Sequence, residues 1–161
     1  MLKNKYIKLV VIAGVVILLD QFTKGLILRY LPFNNSISVI NGFFNITHIH
    51  NPGGAFGLMA NLSPTLRSII FLFITSLAVG LIFYFYKKTP AQYPWLATAF
   101  ALIFGGAIGN LIDRIRFGMV IDFLDFYVGN LHWPAFNIAD SVISIGIGIF
   151  LYHLMFKKMP E

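Results

Sequence analysis

The sequence contains no cysteine. This absence excludes disulfide bridges, thiolate metal sites and cysteine nucleophiles, although it leaves the redox compartment open. Two other signatures are also missing. No predicted helix carries the paired-histidine spacing of a zinc metalloprotease, and no serine stands in the Gly-x-Ser-x-Gly turn of a serine hydrolase. The sequence therefore disfavours thiol, zinc-metalloprotease and serine-hydrolase chemistry.

Charge is also scarce. Only 11% of the 161 residues are charged and 58% are hydrophobic, whereas a soluble domain has about 25% charged residues. The hydrophobic excess lies in four runs, each near the ~20 residues that a helix needs to cross a bilayer. These runs are residues 6–30, 66–86, 95–112 and 139–156. The sequence thus predicts an integral membrane protein of the all-α class, with four transmembrane helices in a single domain over residues 1–161.

The lysines indicate how the helices are oriented. Four crossings place both termini on one side, and the positive-inside rule assigns the lysine-rich side to the cytoplasm. The flanking lysines are Lys3, Lys5, Lys8, Lys87, Lys88, Lys157 and Lys158. The first run continues to Tyr30 without a small-residue cleavage site, which predicts an uncleaved signal anchor. The basic balance therefore reflects orientation in the membrane, and it does not form a stripe for binding nucleic acid.

Several carboxylates fall near the predicted outer boundary. At about 1.5 Å per residue, Asp113 and Asp140 lie near that boundary and Asp20 somewhat below it. Ionisable groups at such depths are costly, so each is a functional candidate that needs a partner. The spacing of Asp20 and Lys24 places them on one helix face and predicts a structural ion pair. A similar structural pairing is expected of Asp113 and Arg114 at the end of the third helix.

Asp122 and Asp140 have no basic residue within four positions in the sequence. One interpretation is a loop charge for Asp122 and a helix cap for Asp140. The other is a pair that shares one proton, because two neighbouring carboxylates cannot both ionise easily. Such a pair can activate water as a base and protonate a leaving amine as an acid. Asp125 is interpreted as an interfacial surface charge.

Glycines and asparagines complete this polar set. Residues 51–56 form a turn-rich stretch in which Gly53 would let the backbone approach a ligand, although a plain turn also explains it. The small residues of 105–109 suit close helix packing. Asn110 and Asn137 could orient a polar site through hydrogen bonds.

The segment 33–50 alternates apolar and polar residues around the turn Asn41-Gly42, which predicts a β-hairpin on the outer surface. A small sheet there would offer an edge to an extended peptide. His48 and His50 would lie on one strand face and, with His132, are a weak alternative as zinc ligands.

Five motifs together resemble bacterial lipoprotein signal peptidase, the signal peptidase II family. They are DQFTK at 20–24, NPGGAF at 51–56, GGAIGNLIDR at 105–114, GMVIDF at 118–123 and FNIADS at 136–141. Their order and the chain length match the family along nearly the whole sequence. The family consists of intramembrane aspartic peptidases that cut prolipoproteins just before the diacylglyceryl-modified cysteine.

The resemblance implies a role for each motif residue. Asp122 and Asp140 correspond to the catalytic pair, and Asp20 with Lys24 to a structural ion pair. The residues that would bind substrate or support the site are Asn51, Gly53, Asn110, Arg114 and Asn137. A β-cradle is implied in the first outer loop, followed by a short surface helix within residues 56–62.

The resemblance also implies that no metal or cofactor is required. The expected partners are diacylglyceryl prolipoprotein signal peptides and membrane lipid, without nucleic acid, and we expect a monomer. The expected location is the bacterial cytoplasmic (inner) membrane, with both termini cytoplasmic and the active site near the outer leaflet. A proton-coupled transporter would need carboxylates near mid-bilayer with access from both sides. A noncatalytic subunit would tolerate Asp→Asn changes.

Overall fold

Four long helices dominate the computed structural model, which describes residues 4–53 and 62–157. They are α1 (Lys5–Tyr30), α2 (Pro64–Lys88), α3 (Pro94–Phe117) and α4 (Ile138–Phe156). Each is long and apolar enough to cross a membrane. The prediction of four transmembrane helices is therefore confirmed.

Local sequence explains where these helices begin and end. The Asn4 side chain accepts a hydrogen bond from the Tyr6 amide at the start of α1, and proline occupies the first turn of α2 and α3, where its missing N–H costs nothing. The expectation that α3 ends at Asp113 and Arg114 is wrong. The helix runs to Phe117 and stops at Gly118, which has a left-handed φ of 73°.

Helix α3 lies at the centre of the bundle and contacts each of the other three helices. A Cβ on Gly105 would lie 2.9 Å from the Ala13 Cα of α1, and one on Gly106 would lie 2.6 Å from the Ala139 oxygen of α4. The small residues therefore allow close helix approach, as predicted. Among the described helices, the backbone of α2 packs only on α3 and makes no close approach to that of α4.

A four-stranded antiparallel sheet covers one end of the bundle. Its strands are β1 (Ser36–Ile40), β2 (Phe44–Asn51), β3 (Val120–Val128) and β4 (Leu131–His132), in that order across the sheet. The predicted hairpin is confirmed as β1 and β2, and Gly42 in its turn has a φ of 78°. The implied surface helix within 56–62 falls almost entirely on residues 54–61, outside the described part of the chain.

The sheet also corrects two expectations about the second loop. Asp122 lies on strand β3, where it pairs with Ile49 of β2, and not in an irregular loop. Asp125 is only 7% exposed and is not a surface charge. Its carboxylate accepts hydrogen bonds from the Asn45 amide at 3.0 Å and pairs with His132 Nδ1 at 2.8 Å. Asp125 thus joins three strands of the sheet.

Candidate active site

Strand β3 places Asp122 at the end of the helix bundle that the sheet covers. Its side chain is 2% exposed. The Asn51 amide of β2 donates to Asp122 Oδ2 at 2.9 Å, and the Asn137 amide donates to Asp122 Oδ1 at 2.7 Å. Both carboxylate oxygens therefore accept a hydrogen bond from a neutral donor.

Asp140 lies in the first turn of α4 and is partly exposed. It forms a capping box with Asn137. The Asn137 side-chain oxygen accepts from the main-chain amide of Asp140 at 3.0 Å, and the main-chain amide of Asn137 donates to Asp140 Oδ2 at 3.3 Å. The Asn110 side chain of α3 donates to Asp140 Oδ1 at 2.8 Å. Asn137 thus contacts both carboxylates, and the helix-cap interpretation of Asp140 is compatible with a place in the site.

The orientation of the three asparagine amides follows from their other partners. The side-chain oxygens accept from groups that can only donate: the Gly53 amide for Asn51, the Lys24 ammonium for Asn110 and the Asp140 amide for Asn137. Each NH2 group must therefore face a carboxylate. This arrangement lets the amides stabilise negative charge on either carboxylate.

Burial dominates the electrostatics of Asp122. Desolvation raises its pKa to about 7, and the negative charge of Asp140 acts in the same direction. The hydrogen bonds from Asn51 and Asn137 oppose the shift because they favour the ionised form. Near neutral pH, Asp122 can therefore carry or release a proton.

A buried charge network lies directly beneath these carboxylates. Lys24 Nζ is 2.9 Å from Asp20 Oδ2 and 2.7 Å from Asp113 Oδ2, and all three side chains are at most 2% exposed. The same two carboxylates also accept main-chain amides: Ala139 donates to Asp20 Oδ1 at 3.0 Å, and Ile121 donates to Asp113 Oδ2 at 3.2 Å. The network therefore ties α1 and α3 to the starts of α4 and β3, which carry the site.

Removing the cation from this network should destabilise the fold. Lys24→Ala would leave two carboxylates buried without their counter-ion, which costs about 3 to 5 kcal/mol while the charges persist. We expect a lower melting temperature in detergent at neutral pH. An unchanged melting temperature together with lost turnover would instead indicate that Lys24 takes a direct part in the chemistry.

Gly53 and Arg114 both lie against the Phe71 ring of α2, whereas the three asparagines bond the carboxylates directly. Gly53 has a φ of 92°, and a Cβ there would clash with the Phe71 ring of α2. It packs against that ring, and its amide orients Asn51. The Arg114 guanidinium lies over the same ring, 5.2 Å from its centroid. Its Nε and Nη1 atoms are buried and have no hydrogen-bond partner within residues 4–53 and 62–157.

The three histidines of the sheet do not converge. His48 Nε2 lies 3.0 Å from His50 Nε2, and His48 Nδ1 contacts the Leu31 oxygen at 2.7 Å. His132 pairs with Asp125 instead. Within the described residues, no group of three or more His, Asp or Glu side chains could hold a metal ion.

Sequence reasoning assigned no role to two residues of the site region. The Gln21 amide donates to Asp113 Oδ1 at 2.9 Å and to the Gly109 oxygen at 3.1 Å. Phe71 is the shared neighbour of Gly53 and Arg114. Gln21 stands inside the DQFTK motif, which could have drawn attention to it, whereas Phe71 is one apolar residue within a long apolar run and carries no such signal.

Comparison with known proteins covers nearly the whole chain. A family model described as signal peptidase (SPase) II matches residues 12–156. The lipoprotein signal peptidase of Desulforapulum autotrophicum is 53% identical over 155 residues, 96% of each chain, and that of Syntrophus aciditrophicus is 48% identical over 160 residues, 99% of each chain. A solved structure, described as a bacterial membrane enzyme structure obtained by the in meso method, superposes with a TM-score of 0.82 at 33% identity and covers 94% of each chain.

Proposed function

The chain belongs to the signal peptidase II family, and on that premise we propose that Asp122 and Asp140 are its catalytic pair. The family makes it a multi-pass membrane protease that removes signal peptides from prolipoproteins. The observation that carries the proposal is that one residue, Asn137, bonds both carboxylates at the junction of sheet and helices: its side-chain NH2 donates to Asp122 and its main-chain amide donates to Asp140. We further propose that residues 1–161 act as one domain and as a monomer, without metal or cofactor.

The proposed chemistry uses one proton shared by the two carboxylates. The ionised aspartate removes a proton from water, and the resulting hydroxide bonds to the carbonyl carbon before the cysteine. The protonated aspartate donates to the carbonyl oxygen, giving a neutral tetrahedral diol. Collapse of the diol breaks the C–N bond: the proton taken from water passes to the leaving amine of the cysteine, and a diol hydroxyl returns a proton to the aspartate that had donated one. A carboxylic acid remains on the signal peptide, and the pair again holds one proton. The raised pKa of Asp122, about 7 because of its burial, supports a shared proton at neutral pH.

The surrounding residues have separate roles in this proposal. Asn51, Asn110 and Asn137 hold the two carboxylates in place and stabilise whichever is ionised. Arg114 lies over Phe71, and two of its nitrogens have no partner within residues 4–53 and 62–157; it supplies donors to the substrate backbone. Asp20 and Lys24 stabilise the structure that carries these groups, and Gly53 positions Asn51.

Helices α2 and α4 do not pack on each other within the described residues, which supports a route for the lipid between them. We propose that the diacylglyceryl chains stay in the membrane between α2 and α4 while the peptide extends beneath the sheet. Acyl chains buried in hydrocarbon gain about 0.8 kcal/mol per CH2 group. The lipid anchor would thereby hold the scissile bond at the depth of the carboxylates.

The proposed location is the bacterial cytoplasmic membrane, with both termini in the cytoplasm and the carboxylate pair near the outer leaflet. The asymmetry of lysines supports this orientation. A reporter that is active only outside the cytoplasm should work when fused at Asn41 and remain silent at Lys88. The reverse pattern would overturn the orientation.

The function is tested by incubating the purified protein in lipid with a diacylglyceryl prolipoprotein. Mass spectrometry should find a mature product whose first residue is the modified cysteine. An intact substrate, or a cut at another bond, would contradict the proposed function.

A further inference from the structure

A cavity lies at the opposite end of the bundle from the carboxylates. It is a groove of about 660 Å³ between the start of α3 and the second half of α4. Ile145 and Ile149 line its apolar part, whereas Trp95, Tyr152 and Lys157 line the part near the helix ends. The groove therefore changes from apolar to polar along its length.

The dimensions of the groove match one half of a membrane. Its α4 wall runs from Ile145 to Lys157, about 18 Å at 1.5 Å per residue. One leaflet of the ~30 Å hydrocarbon core is about 15 Å deep. Since both walls belong to membrane-spanning helices, the apolar part faces acyl chains and the Lys157 end lies at headgroup level.

A buried histidine indicates that the groove has a polar occupant. His153 is 7% exposed and lines the groove. Its ring packs edge-to-face with Tyr93, and its buried Nε2 has no hydrogen-bond partner among the described residues. Buried polar atoms are nearly always bonded, so this nitrogen needs a polar partner that the described residues do not supply. A lipid phosphate or glycerol oxygen beside Lys157 would satisfy both side chains.

We propose that this groove binds one anionic phospholipid. One acyl chain lies along Ile145 and Ile149, and the headgroup phosphate pairs with Lys157 and His153. Trp95 and Tyr152 flank the headgroup, as aromatic residues do at membrane interfaces. Basic pockets between helices on the cytoplasmic side recognise acidic headgroups, which agrees with the proposed orientation. The binding site is separate from the carboxylate pair and does not depend on the proposed function.

Trp95 provides the probe. The chain has two tryptophans, so Trp133→Phe leaves Trp95 as the only tryptophan, whose fluorescence can be excited selectively over that of tyrosine. This variant, reconstituted in phosphatidylcholine vesicles, is titrated with phosphatidylglycerol brominated in the acyl chain, and separately with brominated phosphatidylcholine. One lysine near a headgroup should give brominated phosphatidylglycerol about a five-fold preference at the groove. Inorganic phosphate at matched ionic strength should leave the quenching unchanged.

Matched glycine variants distinguish this groove from the general lipid surface. Gly148 lines it, and a side chain there would meet open space, as would one at Gly80 on α2. Gly148→Leu should fill the groove and remove the preference for phosphatidylglycerol over phosphatidylcholine. Lys157→Gln should remove this preference without changing the helix, whereas Gly80→Leu should retain it. Equal quenching by both lipids, a preference that survives Gly148→Leu and Lys157→Gln, or a Trp95 unquenched by either lipid would overturn the proposal.

Discussion

Either Asp122→Asn or Asp140→Asn should lower turnover of a lipidated prolipoprotein at least about 1,000-fold, the range expected when a general acid or base is lost. Asparagine keeps the size of aspartate but can neither take a proton from water nor pass one to the leaving amine. The double variant should be little worse than either single variant, because the two groups act as one unit. The measurement is single-turnover cleavage by the purified variants in lipid.

Both variants should still fold. Asp122→Asn loses one hydrogen bond, because both oxygens of the carboxylate accept from amides, but it also removes a buried charge. In Asp140→Asn, the side-chain oxygen of the new asparagine can still accept from the main-chain amide of Asn137, which preserves the helix cap. Asp125→Asn is the control on the same strand, since Asp125 bonds only Asn45 and His132 within the described residues. Substantial turnover by either active-site variant would overturn the assignment.

A prolipoprotein without the diacylglyceryl group should be cut at least about 100-fold more slowly than the lipidated form. Its signal peptide still anchors it in the membrane, so the comparison isolates recognition at the cysteine. In the proposed binding mode the acyl chains lie between α2 and α4, and without them the scissile carbonyl is no longer fixed at the depth of Asp122 and Asp140. Misplacement by about 1 Å can cost 100-fold in rate.

The comparison uses two preparations of one prolipoprotein that differ only in the lipid on the cysteine, each reconstituted at the same density. Cleavage is followed by mass spectrometry of the mature product. Equal rates for the two preparations would exclude recognition of the lipid, although they would leave the peptidase assignment intact.

The helices could be predicted from the sequence because a helix that crosses the hydrocarbon of a membrane needs a long apolar run, and such a run is visible without knowledge of the helix packing. The β1–β2 hairpin was also predictable, since its alternation and its Asn-Gly turn are local signals. Strand β3 was not predicted. Its four residues from Val120 to Phe123 are all buried, so it lacks the alternation that marks a half-exposed strand.

The same distinction between local and distant contacts applies to the site. The spacing of Asp20 and Lys24 on one helix indicated a pair, and their nitrogen and oxygen do lie in contact. The second partner of Lys24 is Asp113, which lies 89 positions away in the chain. The surface interpretation of Asp125 failed because its partners come from neighbouring strands. Contacts that form only when elements pack together leave no pattern in a single sequence.

The central claim is that Asp122 and Asp140 share one proton during catalysis, and the pH dependence of kcat/KM tests it most directly. The rate should rise from acidic pH as the pair loses its first proton and fall as the pair loses its second, above about pH 7, the value to which burial raises the pKa of Asp122. The apparent pKa values of the rising and falling limbs of this pH profile describe the pair as a whole.

Two asparagines of strand β2 make the test specific. Asn51 donates to Asp122 and favours its ionised form, so Asn51→Ala should raise the pKa further and move the descending limb to higher pH. Asn45→Ala is the matched control, because Asn45 donates to Asp125 instead, and it should leave the limb in place. A wild-type profile with no descending limb up to about pH 9, about two units above the Asp122 pKa, or equal movement in the two variants, would contradict the shared-proton pair.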